Sequence, residues 1–71
     1  MPRLPARTGK QVARVLAKNG FALDHVTGSH HIFVSADGSR RVTVPIHRKD
    51  LPKGTLREIL KQSGLTVGDI T

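Results

Sequence analysis

Cysteine, tryptophan and tyrosine are absent from this chain, and phenylalanine occurs only twice in 71 residues. Without cysteine, neither a disulfide nor a thiolate metal site can supplement the core. The lack of thiols fits a reducing compartment, and a cytoplasmic protein is expected. With almost no aromatic platforms, the base stacking on which single-strand binders rely is out of reach. No apolar run approaches the roughly 18 residues that a membrane span needs. No apolar stretch follows the basic segment Met1–Arg7 either, so a secretory signal is not expected. Acidic residues are few and scattered, which leaves no evident carboxylate pair for acid–base work. Walker loops and nucleophile elbows are missing as well. A chain this short buries only about 60% of its unfolded surface, which leaves room for one domain with one small core and excludes large cofactor-binding architectures.

What is abundant is positive charge. Twelve Lys plus Arg stand against five Asp plus Glu, a net charge of +7, with a pI near 11.3. Such an excess on a small surface favours a polyanionic partner, nucleic acid or an acidic protein. Because aromatics are so few, recognition of a nucleic acid has to run through phosphates, hydroxyls and shape.

Residues 1–7 carry two prolines and two arginines and are expected to form a flexible basic arm, followed by a single domain over 8–71. Thr8 and Gln11 form a Thr-x-x-Gln capping box that opens a helix. Val12, Val15 and Leu16 then recur at helical spacing, and Asn19-Gly20 ends it. Phe21–Val26, Ser29–Val34 and Arg40–Ile46 have strand character, with Asp37-Gly38 as a hairpin signal between the last two. A second helix starts either at an Asp50 cap with Pro52 in its first turn or at a Thr55 cap paired with Glu58; Leu56, Ile59 and Leu60 are its apolar stripe, and Gly64 closes it. Thr66 can cap one further turn. The order helix, three strands, helix predicts an α+β domain with a three-stranded antiparallel sheet and both helices on one face. Phe21, Phe33, Val12, Val15, Leu16, Ile32, Val34, Val42, Val44, Leu56, Ile59 and Leu60 are the expected core.

Four histidines, at 25, 30, 31 and 47, carry the candidate chemistry. A metal site from His30, His31 and His47 is disfavoured, because adjacent strand residues point to opposite faces, and neither a metal nor any other cofactor is expected. His30, after the turn Gly28-Ser29, stands at the mouth of a strand, where backbone can approach a substrate closely. Imidazole exchanges protons near neutral pH. RNA supplies its own nucleophile, the 2′-hydroxyl, so one positioned base and a nearby cation suffice for metal-free cleavage, the base contributing about 10²–10⁴-fold. The bland alternative is a half-buried histidine that shares strand parity with Ile32 and Val34 at the rim of the core.

Three ordered motifs decide between these readings. Gly28-Ser29-His30-His31-Ile32-Phe33, then Val42-Thr43-Val44-Pro45-Ile46-His47, then Lys53-Gly54-Thr55-Leu56-Arg57-Glu58-Ile59-Leu60-Lys61-Gln62-Ser63-Gly64-Leu65 together resemble the HicA toxins, small mRNA interferases of HicA–HicB toxin–antitoxin pairs, over about Thr8–Ile70. The resemblance implies a double-stranded-RNA-binding-domain (dsRBD)-like fold, an endoribonuclease acting on mRNA, and the first histidine of Gly-Ser-His, here His30, as general base or acid–base relay. It also implies a HicB-type antitoxin that occludes His30, with operator DNA contacted only indirectly through that antitoxin. Gly28, Ser29, His31, Arg41, His47, Lys49 and Lys53 are the candidate RNA contacts, with Arg40 and Arg48 as further cations; His25 is expected to be an ordinary strand residue. Two other functions remain open at this level, a non-catalytic double-stranded-RNA-binding module and a basic adaptor for an acidic protein. Phosphate contact without stacking predicts weak sequence preference. Titrating single-stranded RNA against salt should give a log–log affinity slope of about −0.7 per phosphate neutralised.

Overall fold

Thr8 opens helix α1 (Gly9–Lys18) with a complete capping box. Its hydroxyl accepts from the Gln11 N–H at 3.2 Å, while the Gln11 side-chain oxygen accepts from the Thr8 N–H at 2.9 Å. Two of the helix's orphan donors are thereby satisfied. Asn19 caps the other end, its side-chain amide donating to the Val15 carbonyl at 2.8 Å. In this computed structural model, which describes residues 3–71, three strands follow: β1 (Phe21–Thr27), β2 (His30–Ser35) and β3 (Arg41–Pro45). They form one antiparallel sheet in the order β1-β2-β3. In the second hairpin the Asp37 carboxylate accepts from the hydroxyls of Ser35 and Ser39, both at 2.7 Å, and from the Ser39 N–H at 3.0 Å. Those hydrogen bonds, the Ser39 backbone bond first, pull its carboxyl from an ordinary 3.8 down to about 2.

Helix α2 (Lys53–Ser63) begins between the two expected starts. Pro52, in extended conformation, is its N-cap, and neither Asp50 nor Thr55 caps it. Proline lacks an N–H and its ring fixes φ, so it delivers the chain into the first turn without any side-chain cap. Gly64 closes the helix in the left-handed conformation at φ 75°. A short 3-10 turn, Val67–Ile70, follows Thr66, whose N–H donates to the Asp69 carboxylate at 2.7 Å.

Both helices cover one face of the sheet. Val12 and Leu16 of α1 and Leu56 and Ile59 of α2 share a single core with Phe21, Phe33, Val42 and Val44. Leu51 and Ile70, which no periodicity marks, complete it from the two irregular segments. Phe33 stands opposite Val42, so β2 turns Phe33 inward. Ile32 and Val34 therefore face the other way, contrary to their expected place in this core. Ile32 is buried but outside the core cluster and stands opposite Thr43. Over that uncovered face Arg41 of β3 reaches Asp24 of β1 across the intervening strand, at 3.6 Å.

Of the basic arm expected over residues 1–7, Met1 and Pro2 lie outside the described residues, whereas Leu4 and Arg7 are tied into the domain. Leu4 packs against the core. The Arg7 carbonyl accepts from the Leu51 N–H at 2.8 Å, and its guanidinium Nε donates to the Ile70 carbonyl at 2.7 Å.

Gly9 is buried at the point where α1 meets the end of β3. A Cβ there would collide with the Pro45 carbonyl oxygen and lie 3.1 Å from its carbon. Gly9→Ala is expected to destabilise the domain by about 1–3 kcal/mol, the usual cost of overpacking, in a denaturant titration. For Asp37 the depressed folded-state pKa means stability present above about 3.8 and lost as pH falls through about 2, since protonation breaks the bonds that lowered it. The melting-temperature gap between wild type and Asp37→Asn should accordingly narrow as pH is lowered across that window.

Candidate functional site

The turn between β1 and β2 consists of Gly28 and Ser29 alone, joining the paired residues Thr27 and His30. Gly28 has φ 58° and, among the described residues, no non-glycine residue has positive φ, the pattern of a type II′ hairpin with glycine at its first central position. This turn delivers His30 as the first residue of β2, directly opposite Pro45, the last residue of β3. The ladder then runs one step further, with the Ile46 N–H donating to the Ser29 carbonyl at 2.7 Å. Beyond it the chain enters the basic loop that leads to α2.

Loop and strand ends enclose a cavity of about 680 Å³ lined by His30, Pro45, His47, Arg48, Lys49, Asp50, Leu51, Pro52 and Thr55. Pro45, Leu51 and Pro52 contribute apolar surface; His30, His47, Arg48, Lys49 and Asp50 are exposed. The loop is pinned from below. Leu51 is 7% exposed within the core, its N–H is bonded to Arg7, and Asp50 bridges to Thr8. Arg48 and Lys49 outnumber Asp50, so the cavity mouth is cationic. The arrangement offers two imidazoles and two permanent cations to one bound anion.

Among the residues singled out in the sequence, the cavity gathers His30, His47, Arg48 and Lys49. It does not gather the others. Gly28 and Ser29 make the turn. His31 stands opposite Val44 on the helix-covered side, half-buried, its ring 6.5 Å from that of Phe33. Arg41 lies on the uncovered face with Asp24, and Lys53 is the exposed first residue of α2. His30 itself is exposed and does not sit at the rim of the core, because its pairing with Pro45 places it on the face away from Phe33.

Sequence reasoning missed Asp50, Leu51, Pro52 and Thr55 as neighbours of His30. The available signal was Leu51, a lone apolar residue in a polar loop, which anchors the segment. It also passed over the surroundings of His25. That residue's Nδ1 lies 2.7 Å from the Asp24 carboxylate, and this hydrogen bond, foremost, holds the Asp24 carboxyl below its ordinary 3.8. His25 stands opposite Ile32 and Thr27 opposite His30, so His25 is diagonal to His30 on the uncovered face. Among the described residues, no group of three or more His, Asp or Glu is placed to hold a metal ion. Among the same residues no helix is long and apolar enough to cross a membrane.

Two helices packed on one face of a three-stranded antiparallel sheet, with a cationic, histidine-bearing cavity at the strand ends, define a small basic α+β domain of dsRBD-like fold. The family model described as HicA toxin of bacterial toxin-antitoxin matches residues 9–65. The chain belongs to that family. It is therefore a toxin of a toxin–antitoxin pair, and an antitoxin partner goes with that membership. No curated protein matches it.

Proposed function

We propose that this toxin is a metal-independent endoribonuclease that cleaves mRNA, with His30 as its general base or acid–base relay. The observation that carries the reading is the placement of His30: exposed, at the mouth of β2, and lining one cavity with the cations Arg48 and Lys49. His30 removes the 2′-hydroxyl proton of a bound ribonucleotide. The 2′-oxygen attacks the adjacent phosphorus, and the cations stabilise the charge that develops on its oxygens, where preorganised positive charge acts most strongly. The products are a 2′,3′-cyclic phosphate and a 5′-hydroxyl end.

Within this reading His47 and Lys49 meet the reacting phosphate. Gly28, Ser29, His31, Arg41 and Lys53 lie outside the cavity, where only a longer strand reaches them. A HicB-type antitoxin neutralises the toxin by covering His30, and operator DNA is reached only through that antitoxin. The cationic cavity mouth suits an acidic antitoxin surface as well as it suits phosphate, which is the electrostatic basis for competition between them.

Purified protein should cleave a generic mRNA in the presence of EDTA. His30→Ala should lower the rate by about 10²–10⁴-fold, the usual worth of a positioned base, without loss of fold by circular dichroism. Fragments ending in 5′-phosphate, or equal cleavage by both proteins, would remove His30 chemistry from consideration. Duplex RNA bound equally by both proteins and cut by neither would instead identify a non-catalytic binding module.

A further inference from the structure

Cleavage through the 2′-hydroxyl moves two protons, and His30, acting as the base, accounts for only the first. We infer that His47 is the second proton-transfer residue, the general acid that protonates the departing 5′-oxygen; the inference rests on the endoribonuclease reading above. Two observations carry it. His47 lines the same cavity as His30. It also follows the strand pairing by a defined step: Pro45 is the direct partner of His30, and the Ile46 N–H is bonded to the Ser29 carbonyl, so His47 stands two residues beyond that partner. His47 thus lies just past the end of β3, where the basic loop begins, and joins His30 in lining the cavity. Two imidazoles in one cavity can bracket one phosphodiester, one on the side of the attacking oxygen and one on the side of the leaving oxygen, as in-line displacement at phosphorus requires.

The other polar groups of the cavity suit the task less well. A guanidinium does not release its proton, which leaves Arg48 as a fixed charge. Imidazole is the side chain that both holds and gives a proton near neutral pH. His25 is diagonal to His30 on β1, but its Nδ1 is engaged by Asp24 and it does not line the cavity. The step balances without water or metal. The O2′–H proton passes to His30 as the O2′–P bond forms; the P–O5′ bond breaks, and O5′ takes a proton from the His47 imidazolium. The cycle ends with His30 protonated and His47 neutral, and solvent restores both.

A leaving-group test separates acid catalysis from loop positioning or phosphate binding. A short RNA cut by wild type at a mapped position is made in two forms, one with the natural 5′-oxygen at the scissile bond and one with sulfur in its place. A thiolate departs without protonation. His47→Ala and His47→Gln should slow cleavage of the oxygen-linked RNA by about 10²-fold or more and cleave the sulfur-linked RNA within a few-fold of wild type. His30→Ala should be slow on both, and His25→Ala should match wild type on both. The inference is overturned if the His47 variants cleave the oxygen-linked RNA at the wild-type rate, or lose equally on both substrates, or if His25→Ala shows the selective loss. Wild type inactive on every RNA would instead remove the endoribonuclease reading itself.

Discussion

The side-chain parity of β2 is the constraint on which the rest of this small domain depends. β2 is the central strand, bonded on both sides, and Phe33 is its contribution to the core, 5% exposed against Val42. Burying such a side chain is worth about 1.5–3 kcal/mol. A slip of one residue would turn Phe33 out to water and carry His30 and Ile32 to the helix-covered face. The burial of Phe33 therefore holds His30 at the open end of the sheet, three residues away and on the opposite face. His31 illustrates the same rule from the other side: adjacent to His30, it is carried toward Phe33 and away from the cavity.

The cavity itself is built by backbone and packing more than by charge. Glycine at position 9 lets α1 approach the Pro45 carbonyl. Leu51 anchors the basic loop in the core, and the Thr8–Asp50 bridge and the Arg7–Leu51 hydrogen bond tie that loop to the segment before α1. Among the described residues, the carboxylate contacts of basic side chains are those of Asp24 with His25 and Arg41. None of them neutralises Arg48 or Lys49. The positive potential of the cavity mouth is thus left free for a polyanion, at some cost in self-repulsion that a protein of such charge tolerates.

The elements of the fold were legible because their signals are local. The Thr8–Gln11 box, Asn19-Gly20, the Asp37-Gly38 hairpin and Gly64 each act through hydrogen bonds or backbone conformations within a few residues, and each does in the structure what its sequence predicts. Less legible was the start of α2, where Asp50 and Thr55 both offer caps within six residues and Pro52, between them, prevails without a side-chain bond. Ile32 and Val34 were misplaced for a different reason. Ser-His-His-Ile-Phe-Val is apolar on both parities at its end, so alternation alone does not say which side meets the helices.

The amino-acid sequence by itself determined the order of elements, the basic character, and the resemblance that marks this chain as a HicA toxin, because periodicity, caps, charge and ordered motifs are properties of neighbouring residues. Tertiary structure alone decided which face His30 takes, that His47 and Lys49 join it while His31, Arg41 and Lys53 do not, and that Leu51 and Ile70 belong to the core. Those outcomes depend on strand register and on a loop folding back over the sheet end. Register is settled by which apolar side chains the two helices bury, a sum over the whole chain that no local segment contains.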